Sequence, residues 1–247
     1  MKRFAGKRIL ITGGTSGIGL ATARRIAEEG GQLLLAGHSA EHIAETEKAL
    51  PQARVIANDA ADPEAAAALA EAVKAHFGTI HAAFLNAGYG SFAKLDGVDA
   101  ADFDRHYQLN VRGPILQAQA LDPVIEAGGA IVLTGSGTAA SPREDVLVYG
   151  SSKAAVRQIA RSLASRFAPR GIRVNVVTPG LTETNFHDRG GMEAEAQKTY
   201  KANVEKAVPL RRLGRPEDVA AIACFLMSDD TAYVTGAEYK VDGGLTM

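Results

Sequence analysis

Of the six tyrosines in this chain, only Tyr149 has a lysine four residues further on, Lys153. On a helix that spacing stacks the two side chains on one face, their Cβ atoms about 5–6 Å apart. A phenol beside an ammonium group is a proton donor and acceptor. To be a ready base near neutrality, a phenol of ordinary pKa about 10 must fall by roughly three units, about 4 kcal/mol. An exposed i,i+4 pair supplies only about 0.2–0.5 kcal/mol. The pair therefore needs a water-poor pocket and a further positive charge.

A second hydroxyl, Ser136, follows the apolar run Ile131-Val132-Leu133-Thr134. If that run is a strand, Ser136 sits at the carboxyl edge, where open α/β sheets bind ligands. There it would donate to a substrate oxygen while Tyr149 gives or takes the proton. A turn serine capping local backbone is the plain alternative. Gly135-Ser136-Gly137 is not the G-x-S-x-G of a hydrolase, and no His–acid arrangement lies near it. Asn110 stands in a helical pattern with Pro114 four residues on. Proline has no N–H to give, so the Asn110 carbonyl should lack its helical partner and be open to a water leading to Lys153. A simple proline kink is the competing reading.

These residues need a sheet and helices to bring them together. Strand patterns fall at 8–12, 32–36, 54–57, 82–86, 130–134, 173–178 and 238–241. Helical patterns lie between them at 18–29, 40–49, 63–77, 101–120, 150–168 and 216–228. This alternation predicts one α/β domain, a doubly wound (Rossmann-type) parallel sheet with helices on both faces. The polar stretch 181–208, with Gly190-Gly191, reads as a mobile segment over a ligand.

After the first strand comes Gly13-Gly14-Thr15-Ser16-Gly17-Ile18-Gly19, opening a helix. Such a turn lets backbone approach a pyrophosphate whose charge meets the free N–H groups at the helix start. Its spacing is G-x3-G-x-G, not G-x-G-x-x-G, and with no lysine after the glycines it is not a P-loop. A dinucleotide bound there would bring the missing positive charge as an oxidised nicotinamide ring. At the end of the second strand Gly37, His38 and Ser39 stand where a carboxylate would repel a 2′-phosphate. NADP is therefore favoured over NAD, with His38 and Ser39 as donors.

At 247 residues, 27 Lys and Arg balance 28 Asp and Glu, so nucleic acid and an anionic membrane are poor partners. A small molecule fits better. The one cysteine, Cys224, lies in an apolar stretch and excludes a disulfide within the chain. Gly6-Lys7-Arg8 interrupts any leader-like run after Met1, and nothing approaches a membrane span, so the expected location is the cytoplasm.

Taken together, the chain resembles the short-chain dehydrogenase/reductase family over essentially its whole length, in the family's shorter branch. Thr12-Gly13-x3-Gly17-Ile18-Gly19 is similar to its cofactor turn, and Asn86-Ala87-Gly88 to its central-strand motif. Asn110, Ser136, Tyr149 and Lys153 match its catalytic tetrad in order. Pro179-Gly180 with Thr182 and Thr184 looks like the segment that grips the nicotinamide carboxamide, and Asp59-Ala60 like the adenine edge. One departure is Leu85, where many members have a second Asn.

The resemblance implies a seven-stranded sheet, NADP or NAD as cofactor, and Lys153 bonded to the nicotinamide ribose. It also implies a homo-oligomer, tetramer or dimer, built through helices 101–120 and 150–168 and the last strand. The expected reaction moves a hydride between nicotinamide and a carbonyl or secondary alcohol. A 3-oxoacyl-thioester reductase is the rival within that chemistry, and a non-catalytic dinucleotide-binding regulator the rival outside it. Tyr89, Phe92, Thr138, Ala139, Pro142, Phe186 and His187 are the expected pocket-facing residues.

Overall fold

Strand β1 (Arg8–Thr12) turns Ile9 and Ile11 to one face and Leu10 to the other, the period-two alternation of a strand buried on both sides. A computed structural model of the chain describes residues 2–184, 186 and 194–247. Six further strands follow: β2 (Gln32–Gly37), β3 (Arg54–Ala57), β4 (Ile80–Leu85), β5 (Ile125–Thr134), β6 (Arg173–Pro179) and β7 (Glu238–Val241). All pair in parallel, in the order β3-β2-β1-β4-β5-β6-β7. The order reverses between β1 and β4, so their carboxyl ends splay apart and open a crevice.

Helices cover both faces. Against the Leu10 face pack α3 (Ala65–Phe77), α5 (Gly113–Leu121) and α6 (Leu147–Phe167), burying Leu69, Leu121 and Val156. Leu85 faces this layer, so a polar residue there would be buried in the core. The opposite face receives α1 (Gly17–Glu28) and α8 (Pro216–Met227) through Ile26, Val219 and Leu226. Helix α2 (Ala40–Ala49) runs between β2 and β3. Cys224 lies in this second layer, where burial pushes its thiol up to about 12. Native protein should therefore resist a thiol reagent near about pH 8 and react only on unfolding, whereas fast native labelling would contradict this burial.

Three elements depart from the sequence reading. The helix expected over 101–120 is two helices, α4 (Ala100–Tyr107) and α5, joined by a π turn at Gln108–Arg112. Pro114 is the cause: without its N–H the i→i+4 ladder cannot continue, and the wider turn lets Gly113 N donate to Gln108 O instead. Strand β5 begins five residues before the expected 130, because its Gly128-Gly129 pair lies inside an irregular register against β4. The polar stretch 181–208 contains a helix, α7 (Ala194–Ala207), where the sequence reading drew no element, and its Gly190-Gly191 pair and His187 lie outside the described residues. No helix among the described residues is long and apolar enough to cross a membrane.

Candidate active site

The carboxyl ends of β1, β4, β5 and β6 open into one cleft of about 1160 Å³. Asn86 shapes its floor. Its Nδ2 donates to Gly13 O (3.2 Å), its Oδ1 accepts from Thr134 Oγ1 (3.0 Å), and its backbone N donates to Thr12 Oγ1 (3.1 Å). One asparagine thereby ties the ends of three neighbouring strands together.

The glycine turn is bare for steric reasons. Gly13 has φ +61°, and a Cβ there would lie 3.0 Å from the Ala87 backbone. Gly17 opens α1, whose N-cap Ser16 makes no side-chain bond and whose first turn holds no acid. The N–H groups of that turn are left for an anion. Thr15, Ser16, Gly17 and Ile18 line the cleft. Gly19 does not; a Cβ there would sit 2.1 Å from Gly13 O, so its role is to let α1 approach the turn.

His38, Asp59, Ala60, Ala87, Gly88, Pro179, Gly180, Thr182 and Thr184 also line the cleft, whereas Ser39, expected as a second donor, does not, because its Oγ caps α2 by accepting from His42 N (3.3 Å). Arg24 and His42, to which the sequence reading assigned no role, join His38 there. Arg24 is exposed, and no carboxylate among the described residues pairs with it. Its signal in the sequence was spacing: seven residues after Gly17, two helical turns on, it returns to the same face.

Tyr149 falls in the first turn of α6, which starts three residues earlier than the expected 150. Its phenol ring packs edge-on to Phe92 (5.9 Å, 81°) and against Phe186 (5.8 Å). Burial pushes Tyr149 up to about 12, while a hydrogen bond from Ser136 pulls it the other way. Lys153, 4% exposed, donates to Thr134 O (3.0 Å), and burial pushes it down to about 8. One cause moves the two groups in opposite directions, because a dry site disfavours charge in both. A Cβ at Gly88 would crowd this arrangement, lying 3.2 Å from Lys153 Nζ and 3.3 Å from Asn110 Oδ1.

Ser136 caps the turn after β5, with Thr138 N donating to its Oγ (3.2 Å) and Thr138 Oγ1 within 2.8 Å. When Thr138 Oγ1 is the donor, the Ser136 proton is left for a substrate oxygen. Asn110 is buried and does not line the cleft. Its amide bonds Tyr89 N (2.9 Å), Tyr89 O (2.8 Å) and Ser152 Oγ (3.0 Å). Of the expected pocket residues, Tyr89, Phe92, Thr138, Pro142 and Phe186 line the cleft, and Ala139 does not. Two converging hydroxyls beside a buried ammonium can polarise and protonate an oxygen.

A doubly wound sheet with this site at its switch point defines a dinucleotide-type oxidoreductase scaffold, and comparison with known proteins agrees. The family whose sequence model matches residues 13–246 is described as enoyl-(acyl carrier protein) reductase. Oxidoreductase asL5 of Sarocladium schorii is 36% identical over 99% of this chain and 98% of its own. A short-chain dehydrogenase/reductase (glucose/ribitol dehydrogenase) of Brucella melitensis superposes with TM-score 0.92 at 28% identity, covering 99% of this chain and 98% of that one. A short-chain dehydrogenase of Burkholderia cenocepacia J2315, solved with NADP, has TM-score 0.89 at 33% identity, covering 99% and 100%. The chain belongs to the short-chain dehydrogenase/reductase family and is an oxidoreductase.

Proposed function

We propose that the protein is an NADP(H)-preferring carbonyl reductase, working in reverse as an alcohol dehydrogenase, with Tyr149 as general acid and base. The observation that carries this reading is the meeting of the Tyr149 and Ser136 hydroxyls at the buried end of the cleft. The residues present fit a dinucleotide. Gly13 leaves a backbone cradle that a Cβ would fill, and the start of α1 offers uncapped N–H groups for a pyrophosphate. Arg24, His38 and His42 would hold a 2′-phosphate, and Asp59-Ala60 the adenine. Asn86-Ala87-Gly88 with Pro179, Gly180, Thr182 and Thr184 would hold the nicotinamide half. The Burkholderia cenocepacia relative, solved with NADP, supports this choice. Bound NADP(H) supplies or accepts the hydride and, when oxidised, adds positive charge to the site.

In reduction, Tyr149 Oη donates its proton to the carbonyl oxygen as Ser136 Oγ hydrogen-bonds the same atom. A phenol pushed up to about 12 holds its proton in the resting site, and handing it over leaves a phenolate that needs positive charge beside it. Alcohol oxidation asks for the phenolate, a fall of roughly five units or about 7 kcal/mol, and depends on positive charge from Lys153 and the oxidised ring. Lys153 and the Asn110 carbonyl carry the proton onward to solvent through a bridging water. Exposed Phe103, Ile115 and Leu147 on α4, α5 and α6 support a homo-oligomer, tetramer or dimer, of this one catalytic domain.

A carbonyl panel that includes a 3-oxoacyl thioester, read at the NADPH absorbance, tests the reading. NADPH binding without reduction of any member would favour a non-catalytic regulator. Arg24→Ala should lower kcat/KM with NADPH by about ten- to a hundredfold and leave NADH turnover unchanged. Equal losses with both cofactors would remove Arg24 from the 2′-phosphate.

A further inference from the structure

We infer that Asp102 and His106 of α4 are positioning residues for the carbonyl site, clamping residues 89–91 against Tyr149 so that the loop forms a fixed wall beside the phenol. Neither residue lines the cleft, so both act through the loop.

His106 is completely buried. Its Nε2 accepts from Ser91 N (3.1 Å), which places the ring proton on Nδ1, where it donates to Asp102 O (2.8 Å). The Asp102 carboxylate accepts from Ser91 Oγ (2.6 Å) and from Tyr89 Oη (2.9 Å). From the other side, the Asn110 amide takes both backbone groups of Tyr89. The residues either side of Gly90 are thus gripped by three side chains, from α4 and the π turn that follows it. An aliphatic residue at 106 would fill the space but leave the Ser91 N–H without its acceptor, a cost that favours loop displacement.

What the clamp holds in place is Gly90. A Cβ at Gly90 would lie 2.7 Å from the Phe186 ring and 3.1 Å from Tyr149 Cε2, so less than one methyl group separates the loop from the phenol. The His106 ring sits between the two elements, with centroids 4.8 Å from Tyr89 and 6.1 Å from Tyr149. A loop that moves outward would widen the space beside the hydroxyl and loosen the fit of a substrate. The clamp itself rests on this geometry; its effect on substrate rests on the carbonyl-reductase reading.

Hydrogen–deuterium exchange on the full chain tests the clamp without any substrate. In His106→Leu, a peptide spanning 88–95 should exchange about tenfold faster or more, while a peptide over 13–20 and NADPH binding stay as in wild type. His106→Gln should restore slow exchange, because its amide oxygen can accept from Ser91 N. With benzaldehyde as probe, KM should rise about tenfold in His106→Leu, with kcat changed far less, and return in His106→Gln. Should His106→Leu fail to fold, Tyr89→Phe removes one hydroxyl of the clamp and should speed exchange in the same peptide. Unchanged exchange in the folded variants, or identical behaviour of Leu and Gln at 106, overturns the inference. Failure of the functional reading looks different: wild type would leave benzaldehyde unreduced while the exchange result stood.

Discussion

Tyr149→Phe should lower carbonyl reduction by about 10²–10⁴-fold while NADPH still binds with its wild-type affinity. The substitution removes one oxygen and keeps the ring, so the packing against Phe92 and Phe186 persists and the cleft keeps its shape. The loss should therefore fall on kcat, because the proton is delivered only as the hydride moves. Ser136 would keep its bond with Thr138 and could still polarise a substrate oxygen, which accounts for a residual rate. Single-turnover reduction together with a fluorescence titration of NADPH separates the two effects. Normal turnover would remove Tyr149 from proton transfer, and loss of NADPH binding in step with activity would make its role structural.

The sheet and the grouping of Ser136, Tyr149 and Lys153 on one cleft were legible because each rests on local pattern. Strands such as Gln32–Gly37 are apolar on both faces, as a buried parallel strand must be, and too short between glycines for a helix. The Tyr149–Lys153 spacing has meaning only on a helix, and α6 supplies one from Leu147 onward. What escaped depends on distance in sequence or on how one element answers another. Pro114 signalled a disturbed helix, but a kink and a π turn begin from the same missing N–H, and the local sequence does not choose between them. Arg24 on α1 and His38 after β2 line one cleft only because β1 and β2 pair in parallel. His106 reads as an unremarkable helix residue until β4 delivers Ser91 to its ring. The π turn also redirects Asn110, whose side chain is spent on holding Tyr89 and Ser152, a role its carbonyl gave no hint of.

The sharpest test of the dry site is the pH dependence of stability, compared between wild type and Lys153→Met. Burial holds Lys153 at about 8 in the folded chain, below its ordinary 10.5. Below about pH 8 both folded and unfolded chains carry the proton, so the folded state bears the full cost of a buried cation. Between the two values the unfolded chain binds more protons, and stability rises with pH as the folded amine loses its charge. Above about pH 10.5 the cost is gone. Wild type should therefore gain about 3 kcal/mol relative to Lys153→Met between roughly pH 7.5 and 10.5, measured by urea unfolding without cofactor. The lost bond to Thr134 O shifts the two curves by a constant, and the other lysines titrate alike in both, so the change in separation belongs to Lys153. Tyr149, pushed up to about 12, acts with the opposite sign and mostly above this window. Parallel curves would mean that water reaches the Lys153 ammonium. The water-poor pocket that the Tyr149–Lys153 pair requires would then be absent.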